Sequence, residues 1–242
     1  MDINSLMNRL QERKTVFFIF LFGAAFIFRL PTLFNDYWDV DVLTSFVATK
    51  EYLYGAVPGI DFAENKRFLY HLMFKGAFRI SAVYGWVLVN FFTSLIVYCT
   101  SIFISLSGSE LRDKKTGMLA ALLYAVLISS FNRHFMASNG EVVYNLPIAM
   151  GLYCLVLFLK EKSAKRAIYI FCAFICSYLA FSIKFQGLIF LIFLLFFLTV
   201  YMLYYFKGLR FVAVLASAGI ILLVLDYYVT GIAVKSVIDA TE

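Results

Sequence analysis

Charged side chains are scarce in this sequence. Only 15% of the 242 residues are Asp, Glu, Lys or Arg, whereas 63% are hydrophobic. The mean hydropathy is +0.86. Soluble globular domains carry about 25% charged residues. The composition therefore excludes an ordinary soluble domain and predicts an integral membrane protein.

Proline and cysteine are also scarce. The three prolines are too few to interrupt many helices. All four cysteines lie inside apolar runs and form no CxxC pair, which excludes the spacing of a zinc or redox motif. Cys172 and Cys176 are one helical turn apart, a spacing typical of small residues that pack between helices.

Long apolar runs predict an all-α polytopic membrane fold with seven transmembrane helices, because about 20 residues cross the hydrocarbon. The runs are 15–33, 84–106, 116–131, 142–159, 167–181, 187–206 and 211–229. Polar residues near Lys184 interrupt an almost continuous apolar stretch, so a hairpin tip is predicted there. The first run is not followed by a small-residue cleavage site, which favours a retained signal anchor.

The distribution of Lys and Arg predicts the orientation. With the amino terminus inside, the inner segments contain Arg9, Arg13, Lys14, Arg112, Lys114, Lys115, Lys160, Lys162, Lys165, Arg166, Lys207 and Arg210, and the short outer segments contain only Arg133, Lys184 and Lys235. The positive-inside rule then predicts a cell-membrane protein with a cytoplasmic amino terminus and an outer carboxyl terminus. The same clustering explains the net charge of +6, so no nucleic-acid partner is expected.

The longest polar segment, 34–83, is the predicted first outer loop of a single membrane module that covers residues 1–242. Six of the fifteen acidic residues lie in it: Asp36, Asp39, Asp41, Glu51, Asp61 and Glu64. The spacing of its apolar residues predicts two helices, over 41–54 and 68–80. Both fit helices that lie in the membrane interface.

Asp39 and Asp41 are the sharpest candidates for chemistry in this loop. Residues spaced by two point the same way only if the backbone is extended. An extended acidic pair can hold a divalent cation, or divide into a general base and a cation ligand. The structural alternative is that acids next to a membrane end keep a loop solvated.

Further candidates lie in three outer segments. Glu141 follows Asn-Gly and begins a predicted helix, where a carboxylate favours the positive end of the helix dipole without any further function. Lys184 at the predicted hairpin tip either extends to the interface or presents its ammonium to a phosphate. Lys66 and Arg67, between the two loop helices, have the same two interpretations.

Taken in order, these features resemble the GT-C superfamily of membrane glycosyltransferases, especially its dolichyl-phosphate-mannose-protein mannosyltransferase-like and aminoarabinose-transferase-like members. The matching residues are Arg29, Pro31, Asp39-Val40-Asp41, Ala48 to Gly55, Pro58, Asp61, Lys66, Asn139-Gly140-Glu141 and Lys184-Phe185-Gln186-Gly187. The family's Lys-Pro-Pro-Leu signature is here Lys66-Arg67-Phe68-Leu69, without either proline.

The resemblance implies a glycosyltransferase that uses a polyprenyl-phosphate sugar, a lipid-linked donor, on the outer side of the membrane. It implies that Asp39 or Asp41 acts as the base or orients the acceptor. The other implied site residues are Lys66, Arg67 and Lys184 around the donor phosphate, and Glu64 or Glu141 at the acceptor or a metal.

The sequence leaves open whether the chain is an enzyme by itself. Members of the GT-C superfamily are usually much longer, so the chain is a fragment, a minimal enzyme, or a non-catalytic GT-C-like subunit that relies on a protein partner. A transporter or channel is disfavoured, because its charges should line a path at mid-depth. Nearly all charges here fall at the ends of the predicted spans.

Overall fold

The computed structural model describes residues 14–34, 39–56, 67–130 and 137–206. Within these ranges the chain is all-helical and contains no β-strand, as predicted. The α-helices are α1 (Lys14–Ile27), α2 (Val40–Leu53), α3 (Phe68–Ile80), α4 (Gly85–Leu111), α5 (Lys114–Ser130), α6 (Gly140–Lys160), α7 (Lys165–Ile183) and α8 (Leu188–Phe206). Short 3₁₀ helices occupy Leu30–Leu33 and Phe185–Gly187.

Among the described residues, three helices, α4, α6 and α7, are long and apolar enough to cross a membrane. The 27 residues of α4 rise about 40 Å, more than the roughly 30 Å of a hydrocarbon core. Two shorter apolar helices cover Thr15–Ile27 and Phe185–Tyr201. The helices therefore have membrane character, while the count of seven spans stays a prediction. The predicted span 211–229 lies outside the described residues.

Helix α4 lies at the centre of the bundle and packs against α1, α3, α5 and α6. Small residues bring α4 and α5 into close contact: a Cβ added at Gly117 would lie 2.2 Å from the carbonyl oxygen of Ser105. Such close approach is typical of helix packing in membranes, where dispersion contacts replace the hydrophobic effect between helices. Helix α7 packs between α6 and α8.

The bundle has two chemically different ends. One end, here named the basic end, carries Arg112, Lys114, Lys115, Lys160, Lys162, Lys165 and Arg166. Lys160 pairs with Glu110 at 2.8 Å, which joins the carboxyl ends of α6 and α4. Arg166 at the start of α7 lies 4.9 Å from the ring of Tyr201 in α8. The opposite end, named the Lys184 end, contains the turn between α7 and α8.

The predicted hairpin tip and both predicted loop helices are present. Helix α7 ends at Ile183 and α8 begins at Leu188. Gly187 makes the turn tight, because a Cβ there would lie 2.3 Å from the carbonyl carbon of Ala180. Helices α2 and α3 match the predictions for 41–54 and 68–80. They pack together through Phe46 and Phe74, whose ring centroids are 5.1 Å apart.

Candidate functional site

Lys184 and Glu141 form an ion pair at the Lys184 end of the bundle. The Lys184 Nζ donates to Oε1 of Glu141. Only 3% of the Lys184 side chain is exposed, compared with 28% for Glu141. The lysine stem packs along Gly140, where a Cβ would lie 3.1 Å from its Cδ. The first turn of α6 thus both accommodates the lysine and neutralises its charge.

Arg67 lies beside the same turn. Its backbone N–H donates to the carbonyl oxygen of Ile183 at 3.0 Å. Its guanidinium stacks over the ring of Phe181, 3.9 Å from the centroid, in a cation–π contact. Three predicted site residues, Arg67, Glu141 and Lys184, are therefore brought to one region by α3, α6 and α7.

A buried polar network supports the backbone just before α6. The Asn90 amide donates to the carbonyl oxygen of Thr32 at 2.7 Å, and the Ser138 hydroxyl donates to Oδ1 of Asn90 at 2.6 Å. The Tyr70 hydroxyl donates to the Ser138 carbonyl oxygen at 2.7 Å. This network fixes residues 137–139 against α3 and α4, and so fixes where Glu141 begins its helix.

Arg29, between α1 and the first 3₁₀ helix, adds a further hydrogen bond to this region. The side chain is fully buried, and Nη2 donates to the carbonyl oxygen of Ala137 at 3.4 Å. The family resemblance includes Arg29, whereas no motif in the sequence pointed to Asn90, Ser138 or Tyr70. Asn90 gave a weak signal, since it is a lone amide inside an apolar run. Buried amides usually have hydrogen-bond partners.

Asp39 and Asp41 lie at the amino end of α2. Oδ1 of Asp39 accepts the Asp41 N–H at 2.8 Å, and the Asp39 carbonyl accepts the Leu43 N–H at 3.0 Å. Asp39 is therefore an N-cap. Asp41 belongs to the first helical turn. The extended pair considered from the spacing is not the geometry found, because the backbone turns helical at Val40.

These two acids lie on a different element from the ion pair. Helix α2 packs on α3, and α3 in turn packs on α4 and α7. Val42, next to Asp41, belongs to the same buried cluster as Val143 and Ile183. Helix α2 is thus connected to the Lys184 end through this apolar cluster, and the role of the two acids in chemistry stays a prediction.

Two further candidates, Glu64 and Lys66, lie outside the described residues, so the structure places neither of them. Among the residues it does describe, no group of three or more His, Cys, Asp or Glu side chains is arranged to hold a metal ion. Among the described residues, Asp39 and Asp41 are therefore not joined by a third His, Cys, Asp or Glu in a group that could hold a divalent cation.

An apolar groove of about 370 Å³ lies among α3, α4, α6 and α7. Its lining includes Leu69, Val143 and Ile183. Leu69 follows Arg67 by two residues, Val143 follows Glu141 by two, and Ile183 directly precedes Lys184. The three helices that bring the charged cluster together, α3, α6 and α7, thus also line the groove, and Ile96 of α4 completes it. A ligand with an anionic head and an apolar tail matches both parts.

Comparison of the chain with protein-family models, with curated proteins and with solved structures gives no match.

Proposed function

We propose that the chain is a GT-C-like membrane glycosyltransferase, which moves a sugar from a polyprenyl-phosphate donor to an acceptor on the outer side of the cell membrane. The observation that supports this best is an apolar groove of about 370 Å³, whose lining residues Leu69 and Ile183 lie within two positions of Arg67 and Lys184 in the chain. A polyprenyl phosphate has the two matching parts, an anionic phosphate and a hydrocarbon chain.

The two cations suit a phosphate in different ways. Arg67 carries a planar guanidinium that can bind two phosphate oxygens at once, and its stacking on Phe181 holds that plane at the site. Lys184 supplies a point charge in a setting with little water, since its side chain is 3% exposed. Charges act more strongly at low dielectric than in water.

In the proposed reaction, the acceptor hydroxyl attacks the anomeric carbon of the donor sugar. The bond from that carbon to the phosphate oxygen breaks, and polyprenyl phosphate leaves with the electron pair. Arg67, Lys184 and Lys66 stabilise the negative charge of the leaving phosphate. Asp39 or Asp41 takes the hydroxyl proton. The proposed roles of Glu64 and Glu141 are to hold the acceptor or a divalent metal.

The proposed orientation places the basic end in the cytoplasm and the Lys184 end at the outer leaflet. Seven Lys and Arg residues at four helix ends lie at the basic end, as the positive-inside rule requires of the cytoplasmic side. The α7–α8 turn, where Lys184 lies, then faces the side on which lipid-linked sugars are used.

A transfer assay tests the proposal. The protein is purified into nanodiscs with a panel of radiolabelled polyprenyl-phosphate monosaccharides, and release of polyprenyl phosphate is followed. At least one donor should turn over, and Asp39→Asn or Asp41→Asn should slow that turnover by about 10²–10⁴-fold, the usual worth of a general base. Lys162→Gln at the basic end is the control. Unchanged turnover in both aspartate variants would reject the site.

The second candidate function is a non-catalytic GT-C-like subunit that binds lipid within a larger complex. Two observations favour it: Glu141 already neutralises Lys184, and Asp39 already caps α2. The ion pair and the Asp39 cap therefore both have a structural role that does not require catalysis. A subunit of this kind would bind polyprenyl phosphate in the nanodisc, with binding weakened by Arg67→Ala, yet release no sugar from any donor.

A further inference from the structure

A second apolar groove, of about 480 Å³, is lined by residues of α4, α5 and α6, together with Phe193 and Phe197 of α8. Thr100, Tyr124 and Asn145 form its deep end, where the Asn145 amide donates to the Tyr124 hydroxyl at 3.2 Å. Leu111 and Leu159 line the opposite end, next to the turns of the basic end. The groove therefore runs from exposed leucines at the basic end to the buried Thr100 within the bundle.

The length of this groove matches one leaflet of a bilayer. From Thr100 to Leu111 the axis of α4 rises roughly 16 Å, at 1.5 Å per residue. Half of a 30 Å hydrocarbon core is about 15 Å. A single hydrocarbon chain that enters at the basic end would thus reach the Tyr124–Asn145 pair near the middle of the membrane.

The mouth of the groove is positively charged. Arg112 follows Leu111 directly, and its side chain is 79% exposed. Lys114 and Lys115 begin α5, and both are exposed. Asp113 caps α5 and lies 3.7 Å from Arg112, so it offsets one of these three positive charges and leaves an excess of positive charge. Basic residues at a membrane surface attract anionic lipids.

We propose that this groove binds one acyl chain of an anionic phospholipid from the leaflet at the basic end, with the lipid phosphate beside Arg112, Lys114 and Lys115. The apolar walls account for the chain, and the three cations account for the headgroup. The site is separate from the Lys184 end and does not depend on glycosyl transfer. The lipid site can therefore be confirmed or rejected independently of the proposed glycosyl transfer.

Retention of lipid by the purified protein tests this site. Native mass spectrometry is used after exchange into detergent with phosphatidylglycerol or phosphatidylcholine. The wild-type protein should retain one molecule of phosphatidylglycerol at least tenfold better than phosphatidylcholine. Ala120→Phe, which fills the groove from α5, should lower this retention at least tenfold. Leu123→Phe is the matched control, since Leu123 lies on the same helix, outside the groove lining, and is 51% exposed.

Two more variants keep the test decisive. Leu152→Trp fills the groove from α6 and should act as Ala120→Phe does, even if one of the two variants folds poorly. Lys114→Gln combined with Lys115→Gln should remove the preference for phosphatidylglycerol and leave chain binding intact. Equal retention in the filled-groove variants and in Leu123→Phe would overturn the site. Equal retention of both lipids by the wild-type protein would overturn the anionic headgroup.

Discussion

Lys184 and Glu141 are buried to very different degrees although they form one ion pair. The ammonium belongs to a side chain that is 3% exposed, and the carboxylate to one that is 28% exposed. Water can therefore reach the acid more easily than the base. Because a buried charge without a counter-charge costs much more than a partly hydrated one, the two partners should not be equivalent.

Removing the acid should destabilise the protein more than removing the base. We expect Glu141→Ala to lower the free energy of unfolding by about 3–5 kcal/mol, the usual cost of stranding a buried charge. Lys184→Met should cost less, because methionine can follow the same path along Gly140 and the remaining carboxylate is partly hydrated. Unfolding of the detergent-solubilised variants, followed by circular dichroism, measures both values.

The exposed pair at the basic end is the control for this comparison. Lys160 and Glu110 are 2.8 Å apart with side chains that are 52% and 42% exposed. Surface pairs of this kind contribute about 0–1 kcal/mol, so Glu110→Ala should be nearly neutral. A cost for Glu110→Ala as large as that for Glu141→Ala would contradict the role of burial.

The turn between α7 and α8 should tolerate no side chain at Gly187. A Cβ there would lie 2.3 Å from the Ala180 carbonyl carbon, which is backbone and cannot rotate away. We expect Gly187→Ala to destabilise the protein by about 1–3 kcal/mol, as overpacking usually does. Gly76→Ala in α3 is the control, because no atom lies within 4 Å of its added Cβ and alanine favours the helix. Thermal unfolding of the two variants should therefore shift in opposite directions.

Asn90 should be the most sensitive residue of the buried network. Asn90→Ala removes the donor for Thr32 and the acceptor for Ser138 together. Leaving buried polar groups unpaired costs about 1–3 kcal/mol each. We expect a loss of stability near the upper part of that range, with faster amide exchange around residues 137–142.

Ser138→Ala provides the test of coupling for this network. If Asn90 and Ser138 act through their shared hydrogen bond, the double variant should cost clearly less than the sum of the two single variants. Strict additivity would mean that the 2.6 Å contact between them contributes little to stability.

Local features of the fold could be predicted from the sequence, whereas the buried network could not. Ser182, Lys184 and Gly187 interrupt an apolar stretch, and a break in hydropathy directly signals the end of a helix. The partners of Asn90 lie 58 and 48 residues away along the chain. Such pairings depend on how α1, α4 and α6 pack, and no local pattern encodes that packing.

The acidic pair shows a different limit of sequence reasoning. A spacing of two residues fits either an extended pair or a helix start, and the predicted helix began at Asp41, the second acid of the pair. The structure begins α2 at Val40, so Asp39 becomes an N-cap and Asp41 a helical residue. A shift of one residue thus changes what the two carboxylates can do together.

Lowering the pH should destabilise the first turn of α5. Oδ1 of Asp113 accepts the Thr116 N–H at 2.8 Å. This bond to the carboxylate is the main reason that the pKa of Asp113 lies below its usual value of 3.8. Because its pKa is lower in the folded than in the unfolded protein, ionised Asp113 stabilises the folded state. This contribution is complete above the pKa of the unfolded state and is lost as the pH falls through the pKa of the folded state. Amide exchange at Thr116 should accelerate in that acidic range.

Asp113→Asn separates charge from capping at this position. The amide oxygen can still accept the Thr116 N–H, but it does not titrate. The variant should therefore keep the same protection of Thr116 throughout the acidic range in which the wild-type protein loses it. A parallel loss of protection in both proteins would show that Asp113 is not the group responsible.

Capping and catalysis by Asp39 can be separated by comparing two substitutions. Asparagine caps helices about as well as aspartate, whereas alanine does not. If Asp39 serves only as the cap seen in the structure, Asp39→Asn should be neutral and Asp39→Ala should cost about 0.5–2 kcal/mol. If Asp39 is also the proton acceptor of the proposed transfer, Asp39→Asn should keep its stability and lose turnover, since an amide cannot take the proton. Measuring unfolding and donor turnover on the same preparations distinguishes the two roles, and a stable, fully active Asp39→Asn would leave Asp41 as the remaining predicted base.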